Sequence, residues 1–519
     1  MFAWRRSILS IVTVGMLMLA TIAGAQTQQT PESLWADFNH YVRIARPDMA
    51  LAAGTALLNA VDNDQQLLDV VEANREYADW QAGTISRARN IDTLEDLAND
   101  LAIRIQKARV DRSRDVDRIK ADIAILNGSR RERLAAIERL KSARQFAAEH
   151  LLATLLDEKQ ANLHPYVLTT MVAIGQPVVY PLSVALPDLE PVPQSQVAQV
   201  LGEIGYPMAL PYLKQVAENS NTETSARRIV GVAYQLIAEA NNIPEGVTAA
   251  ELYLQMAQNY YGAQTAGREI VGYDAANEVG ILWRYSDNVG LVPQQIPVEV
   301  FGDVLAMKSS ETALKLNSQL DPALSLWLMA NLRRENNLPA GVPDPSYPSD
   351  GLPAEFYARM AGPTRLHDVL ARALQDGDAT LALDAIFGLA STAGTEALVN
   401  SKGTSQPLLD ALNFPDRRVR FEAAFVFTNA RPKAAFPGSF RVVPVLSEAL
   451  RQTDTRYAVV LGRSTEEINT LSAIIRDLGY ETYSGMTLTD VADQIAGGPG
   501  VDLVVVRKDL EGVQKVFAE

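Results

Sequence analysis

The sequence predicts a mainly α protein, a stacked array of paired helices with a small α/β portion towards its C-terminal end. Three observations carry that expectation. Between Pro407 and Ala430 two helical stretches meet at Asn413-Phe414-Pro415, and Asp416 stands where a carboxylate accepts from the free N–H groups of a starting helix. The second stretch places Val419, Ala423, Val426, Phe427 and Ala430 at helical spacing, and Phe421 and Phe425 widen the stripe beyond what one neighbouring helix covers. The arrangement recurs: Ala373-Leu374 with Asp378 matches Ala411-Leu412 with Asp416, 38 positions apart, and Leu381, Ala385 and Leu389 follow as another apolar helix. Beyond about residue 452 the pattern changes to alternating strands and helices.

A second recurrence lies upstream. Ile174-Gly175-Gln176-Pro177 through Pro181 returns as Ile204-Gly205-Tyr206-Pro207 through Pro211, offset by 30. Helices opening at Pro181, Pro407 and Pro444 read as one element used repeatedly, since proline costs nothing in a first helical turn. These units resemble HEAT repeats, and the Asp-x-x-Val-Arg-x-x-Ala-Ala run from Asp416 to Ala424 is similar to that family's signature. The resemblance implies a HEAT-like α-solenoid, with repeats over 157–245 and 363–452, in which the Asp416 and Arg420 positions link neighbouring repeats. It also implies a surface that holds other proteins.

The chain has 519 residues, too many for one core and enough for about three or four units. At its start Arg5 and Arg6 precede an apolar run from Ile8 to Ala23, and Ala23-Gly24-Ala25 is a small-residue cleavage site. That layout predicts a signal peptide over 1–25, a mature N-terminus at Gln26, and a periplasmic or secreted protein. The alternative is an uncleaved N-terminal membrane anchor. The run is short of the roughly 20 residues that span a bilayer, and no later segment is apolar enough to do so. Cysteine is absent, which removes disulfides, thiolate metal sites, C-x-x-C-H haem attachment and cysteine nucleophiles. A formal charge of −15 argues against a general affinity for nucleic acid.

Residues 26–156 read as helices. The segment from Leu34 to Leu58 resembles the opening helix pair of a tetratricopeptide-type repeat. Asp92-x-x-Glu95 and Ser129-x-x-Glu132 are capping-box patterns, and Val116, Ile119, Ile123 and Leu126 continue at seam spacing, so 92–156 is expected to be a long helical hairpin. This hairpin is the basic part of the chain. Arg109, Arg112 and Arg118 represent a candidate contact surface for an acidic partner, an anionic envelope polymer or the chain's own acidic solenoid, against the alternative of a solvated face with its own interleaved acids. From 246 to 362 the repeat is interrupted by a helical insertion. Tyr253, Tyr260 and Tyr261 share a helix, and Ile281–Tyr285 and Val289–Val292 flank a short hairpin turn. Two further helices (298–307 and 321–336) and a proline-rich linker (338–353) follow. Tyr253, Tyr260, Tyr261, Trp283 and Tyr285 are candidates to line a groove for a peptide or glycan, against the alternative that they are core.

In 453–519, Tyr457–Gly462 reads as a buried strand, Ser464-x-x-Glu467 caps a helix, and Val501–Val506 closes a β-α-β-α-β order. That order resembles the front half of a response-regulator receiver domain. The family's acidic cluster after the first strand is replaced by Gly462-Arg463-Ser464, and its phosphoacceptor position falls on Arg507. The resemblance therefore implies shape without phosphoryl transfer. Only three of the family's five strands fit before a helix start over 510–518. The expectation is a three-strand half-domain, either cut short of a natural end or paired through its open edge over 457–519 with a second copy.

No catalytic constellation emerges. His40, His150, His164 and His367 are far apart without metal-ligand spacing, and no G-x-S-x-G elbow or Walker glycine loop occurs. Gly497-Gly498-Pro499-Gly500 precedes a strand, so it reads as a turn and not a phosphate cradle. No catalytic, cofactor or metal residue is nominated. The sequence points to an exported, non-catalytic protein-interaction scaffold with unknown protein partners. The alternatives are an envelope glycan- or polymer-handling enzyme with its site in 246–345, or a signalling module that docks through the receiver-like part.

Overall fold

The computed structural model describes residues 29–73, 81–339, 341–348, 350–394, 397–398, 406–433, 436, 438–451, 455–498 and 500–507. The signal segment over 1–25 and the helix expected at 510–518 lie outside the described residues. The fold is mainly α, and the described residues form two three-stranded sheets. Two compact units divide the chain. One takes Met1–Ile243 with Asp274–Glu278 and Trp283–Pro293, and the other takes Pro244–Tyr273, Val279–Leu282 and Gln294–Glu519.

The first unit opens with α1 (Pro31–Arg43), α2 (Pro47–Ala60) and α3 (Asp64–Ala73). Thr30 caps α1, and Trp35 and Phe38 stack with ring centres 5.7 Å apart inside a core that also takes Leu57, Leu67 and Leu68. Gly54 lets α2 sit against Phe38 and Leu97, where a Cβ would come within 2.6 Å of the leucine side chain. The hairpin expected over 92–156 is broken into α4 (Glu95–Ser113), α5 (Val116–Ala124), α6 (Arg130–Ala143) and α7 (Phe146–Leu156). Arg114 closes α4 and the Asp115 side chain accepts from Arg118 N to start α5, so the long helix is two helices. Asp92 does not cap α4; Leu94 holds that position without a side-chain bond. The Ser129–Glu132 box forms in full.

From α6 onward the helices of this unit lie in two rows. One row runs α6, α8 (His164–Ile174), α10 (Pro191–Ile204) and α12 (Thr224–Ala240), each packed on the next. The other runs α7, α9 (Gln176–Ala185) and α11 (Leu210–Glu218), again each on the next. The two Ile-Gly-x-Pro copies are the turns between rows: Gly175 and Gly205 take positive φ of 76° and 72°, which a side chain rarely adopts. Pro181 does not open a helix but lies inside α9, because that helix already starts at Gln176; Pro211 sits in the first turn of α11. Pro444 likewise falls two residues after its helix starts.

Strands β1 (Tyr273–Asp274), β2 (Val279–Ser286) and β3 (Gly290–Pro297) form a sheet in sequence order, which contains the expected hairpin. In the second unit, α13 (Ala249–Thr265), α14 (Val298–Leu316) and α15 (Asp321–Asn337) pack closely on one another. The Gln264 side chain binds the start of α14, donating to Glu299 O (2.8 Å) and accepting from Gly302 N (2.9 Å). Gly280 admits the buried Phe301 ring directly over its Cα.

Then come α16 (Ala354–Ala361), α17 (Pro363–Asp376), α18 (Ala379–Thr392), a short helix Pro407–Asp410, α19 (Arg417–Ala430) and α20 (Val442–Arg451). Asp378 caps α18 through Leu381 N, and Asp416 caps α19 through Arg418 N and Val419 N. Alternate helices again meet: α17 packs on the short 407–410 helix, and α18 on α19. Val419 is fully buried, and Arg420 reaches Glu448 of α20 at 2.6 Å. Phe425, expected within the covered stripe, is exposed. Finally β4 (Arg456–Leu461), α21 (Thr465–Asp477), β5 (Tyr480–Gly485), α22 (Leu488–Gly497) and β6 (Leu503–Val506) build a parallel sheet in the order β5-β4-β6. Ala458 and Val460 pack towards Ile475 of α21, and Val459 and Leu461 towards Val491 of α22, so the central strand is apolar on both faces.

Candidate functional site

The aromatic residues proposed as a groove are mostly core. Tyr253, Tyr260 and Tyr261 fill the packed faces of α13, and Trp283 is 2% exposed on β2. They were candidates because a helix and a strand rich in rings suggest a lined surface. Here the rings occupy the space between elements instead, so no groove forms from them. Trp283 donates from Nε1 to Gln145 Oε1 (3.1 Å), and its ring lies 6.3 Å from Phe146. Tyr285 is half-buried, and burial together with Asp287, Asp188 and Glu190 holds its hydroxyl above the usual range.

Two of the three basic candidates, Arg109 and Arg112, are paired within their own unit. Arg109 meets Glu72 at 3.0 Å, and Arg112 reaches Asp69 (2.5 Å), Glu72 (3.1 Å) and the Gln65 side chain (3.1 Å). Acids of α3 thus neutralise this face of α4. Arg118 is exposed. Arg114 grips Asp274 through two bonds of 2.6 Å and lies 4.4 Å over the Phe146 ring.

Sequence reasoning missed a buried ionic cluster in the second unit. Arg333 of α15 donates to Asp303 of α14 at 2.8 and 2.6 Å, to Tyr261 O at 2.8 Å and to the Thr265 hydroxyl. Its guanidinium lies 3.5 Å over the Tyr261 ring. Burial pushes the Asp303 carboxyl up to about 6, against the pull of Arg333. The signal was a lone Asp in an apolar helix: Phe-Gly-Asp-Val-Leu-Ala-Met carries one charge, on its inner face.

Near this cluster, α14, α15, α16 and the linker residues Ser346, Tyr347, Pro348 and Gly351 line an open-sided pocket of about 230 Å³. Val304, Met307, Lys308 and Glu311 come from α14 and Trp327 from α15; Ser346, Tyr347, Pro348 and Gly351 come from the linker, and Tyr357 from α16. Helical spacing aligns Val304, Met307, Lys308 and Glu311 on one side of α14. Trp327 and Tyr357 meet edge to face at 5.0 Å. Trp327 Nε1 donates to Glu311 Oε1 (3.1 Å), and Lys308 Nζ donates to Glu311 Oε2 (3.2 Å). Tyr347 donates its hydroxyl to Leu352 O (2.8 Å), and the Arg334 guanidinium, paired with Asp344 at 2.7 Å, lies 4.1 Å over its ring. Burial and the neighbouring Tyr357 push the Tyr347 hydroxyl up to about 12. Gly351 lets the linker close onto Tyr347, since a Cβ there would run into the ring.

Among the described residues one carboxylate, Glu311, lines this pocket, paired with Lys308. Among the described residues no group of three or more His, Asp or Glu side chains is placed to hold a metal ion, and no helix is long and apolar enough to cross a membrane. No family model matches the chain, and no curated protein matches it. A solved structure found to be similar is a circular tandem repeat protein with novel repeat topology and enhanced subunit contact surfaces. It is 14% identical, over 81% of this chain and 90% of that one, with a TM-score of 0.17. A likeness at that score carries no argument.

Proposed function

We propose that this chain is an exported, non-catalytic scaffold of HEAT-like repeats that holds partner proteins. The observation that supports it most is the packing of alternate helices into two rows from α6 to α12, with α17 packed on the short 407–410 helix and α18 on α19 in the same alternating way. Such stacks present long surfaces formed by successive helices, and their usual work is recognition. Apolar side chains are left bare along the second set: Phe387 on α18, Phe425 on α19, Phe440 just before α20, and Val443 and Leu450 on α20, the last 87% exposed. Exposed aromatic and aliphatic groups in succession fit a protein contact better than a solvated face.

The segment 455–507 reads as a receiver-like half-domain without the receiver's chemistry. Its strand order, second-first-third, is that of the front half of the doubly wound family. At the phosphoacceptor position Arg507 pairs with Glu467 at 3.0 Å. Export rests on the Arg5-Arg6, apolar-run and Ala23-x-Ala25 layout.

The test is capture of partners by the full chain in its native host. The exposed-site variant Phe425→Glu/Leu450→Glu should keep the parent's circular dichroism and melting temperature and lose the partners that the parent co-purifies. Equal recovery by both chains removes this surface from the reading, and a parent that retains no protein removes the scaffold.

A further inference from the structure

We propose that the pocket between α14, α15, α16 and the linker residues Ser346, Tyr347, Pro348 and Gly351 binds one neutral pyranose ring of a saccharide. Its shape and lining select the class. A space of about 230 Å³ takes a single six-membered ring with its substituents and lies below the range of about 300–1,000 Å³ typical of drug-sized ligands. Three aromatic side chains, Trp327, Tyr347 and Tyr357, wall it above an apolar floor of Val304 and Met307. The polar tips of Trp327 and Tyr347 are already engaged with Glu311 and Leu352 O, so these rings offer apolar surface to an occupant.

The rim then decides between occupants. Glu311 accepts two bonds where a carboxylate has about four acceptor sites, and Lys308 has donors beyond the one it gives Glu311. A cation in the cage meets Lys308 at the rim and Arg334 behind Tyr347; an anion meets Glu311. A purely apolar ring, such as proline, strips water from the Lys308–Glu311 pair and returns no hydrogen bond. A sugar ring presents C–H faces to the aromatic walls and hydroxyls to both members of the pair, so it replaces the water it displaces. The proposal is for binding alone. It stands apart from the scaffold reading, whose bare apolar residues lie on α18 to α20.

Saturation-transfer NMR on the full chain tests it, with cellotetraose and chitotetraose as saccharide probes and a decaproline peptide as the competing class. At least one tetrasaccharide should show saturable transfer. Trp327→Ala should weaken it by about tenfold, whereas Trp327→Phe, which keeps a ring, should stay within about threefold. Glu311→Gln, at a partly exposed position, guards against a folding defect in Trp327→Ala and should weaken binding about fivefold with the melting temperature kept. No transfer to either saccharide overturns the proposal. So does transfer that survives Trp327→Ala, or decaproline binding in their place.

Discussion

Asp303 sits fully buried against Arg333, and the two opposed effects on it have a measurable result. Burial disfavours its charge more than Arg333 favours it, so the folded carboxyl titrates near 6, above its ordinary value near 4. Between those values the folded chain holds a proton that the unfolded chain has released. The stability this contributes is complete below about pH 4 and is lost as pH rises through about 6. Asp303→Asn removes the titration. The stability difference between parent and variant should therefore shrink by about 2–3 kcal/mol from pH 4 to pH 7, on top of a pH-independent offset from the altered Arg333 contact. Urea midpoints at the two pH values measure it, and a constant difference would contradict the raised carboxyl. Val419 is the simpler case. It has no exposed surface in α19, so Val419→Asp should cost about 3–5 kcal/mol in a thermal melt, because the new charge has no partner.

At the scale of the element, Arg420 bonds to Glu448 and ties α19 to α20, whereas Asp416, expected as a second link between repeats, caps its own helix through Arg418 N and Val419 N. Arg420 also donates to Phe414 O and Pro415 O, both at 2.9 Å, so Arg420→Ala should cost about 1–2 kcal/mol, read as a modest drop in urea midpoint, against about 0.5 kcal/mol for Glu448→Ala, which removes the exposed pair alone. Gly280→Ala should cost about 1–3 kcal/mol, since the added methyl meets the buried Phe301 ring. These elements also mark how far the sequence could be read. Caps at Ser129, Asp378, Asp416 and Ser464 were legible because a cap is a bond across three residues. The break at Arg114 was not, because an unbroken apolar spacing runs through it and the Asp115 cap competes with equally plausible continuation. Tyr253, Tyr260 and Tyr261 mark the other limit. Spacing shows that they share a helix, but whether a ring meets solvent depends on α14 and α15, which return more than 30 residues later. The cavity of Trp327, Tyr347 and Tyr357 was hidden for the same reason, as its walls come from three elements and a linker.

Across the whole molecule, each expectation about chemistry meets a chain with a charge of −15 and no cysteine. It has no disulfide for a thiol to reduce, so its melting temperature should be the same with and without dithiothreitol. Under the proposed receiver-like reading, the C-terminal α/β portion takes no phosphoryl group. Incubation with acetyl phosphate and Mg²⁺ should leave the mass unchanged, because Arg507 offers no carboxylate and is held by Glu467; an acid-labile gain mapped to 455–507 would reverse that. Export is the remaining claim, and it concerns how the chain is made. A stack of helices without disulfides gains nothing from an oxidising compartment, so stability gives no reason for export. The reason is the N-terminal pattern alone: two arginines, an apolar run too short to span comfortably, and Ala-Gly-Ala. A processed chain should begin at Gln26 and leave the cell with the periplasmic or external fraction. N-terminal sequencing from the native host reads this directly. An intact Met1 in the membrane fraction would mean an anchor, and an intact Met1 in the cytosol would end the export reading together with the envelope partners it implies.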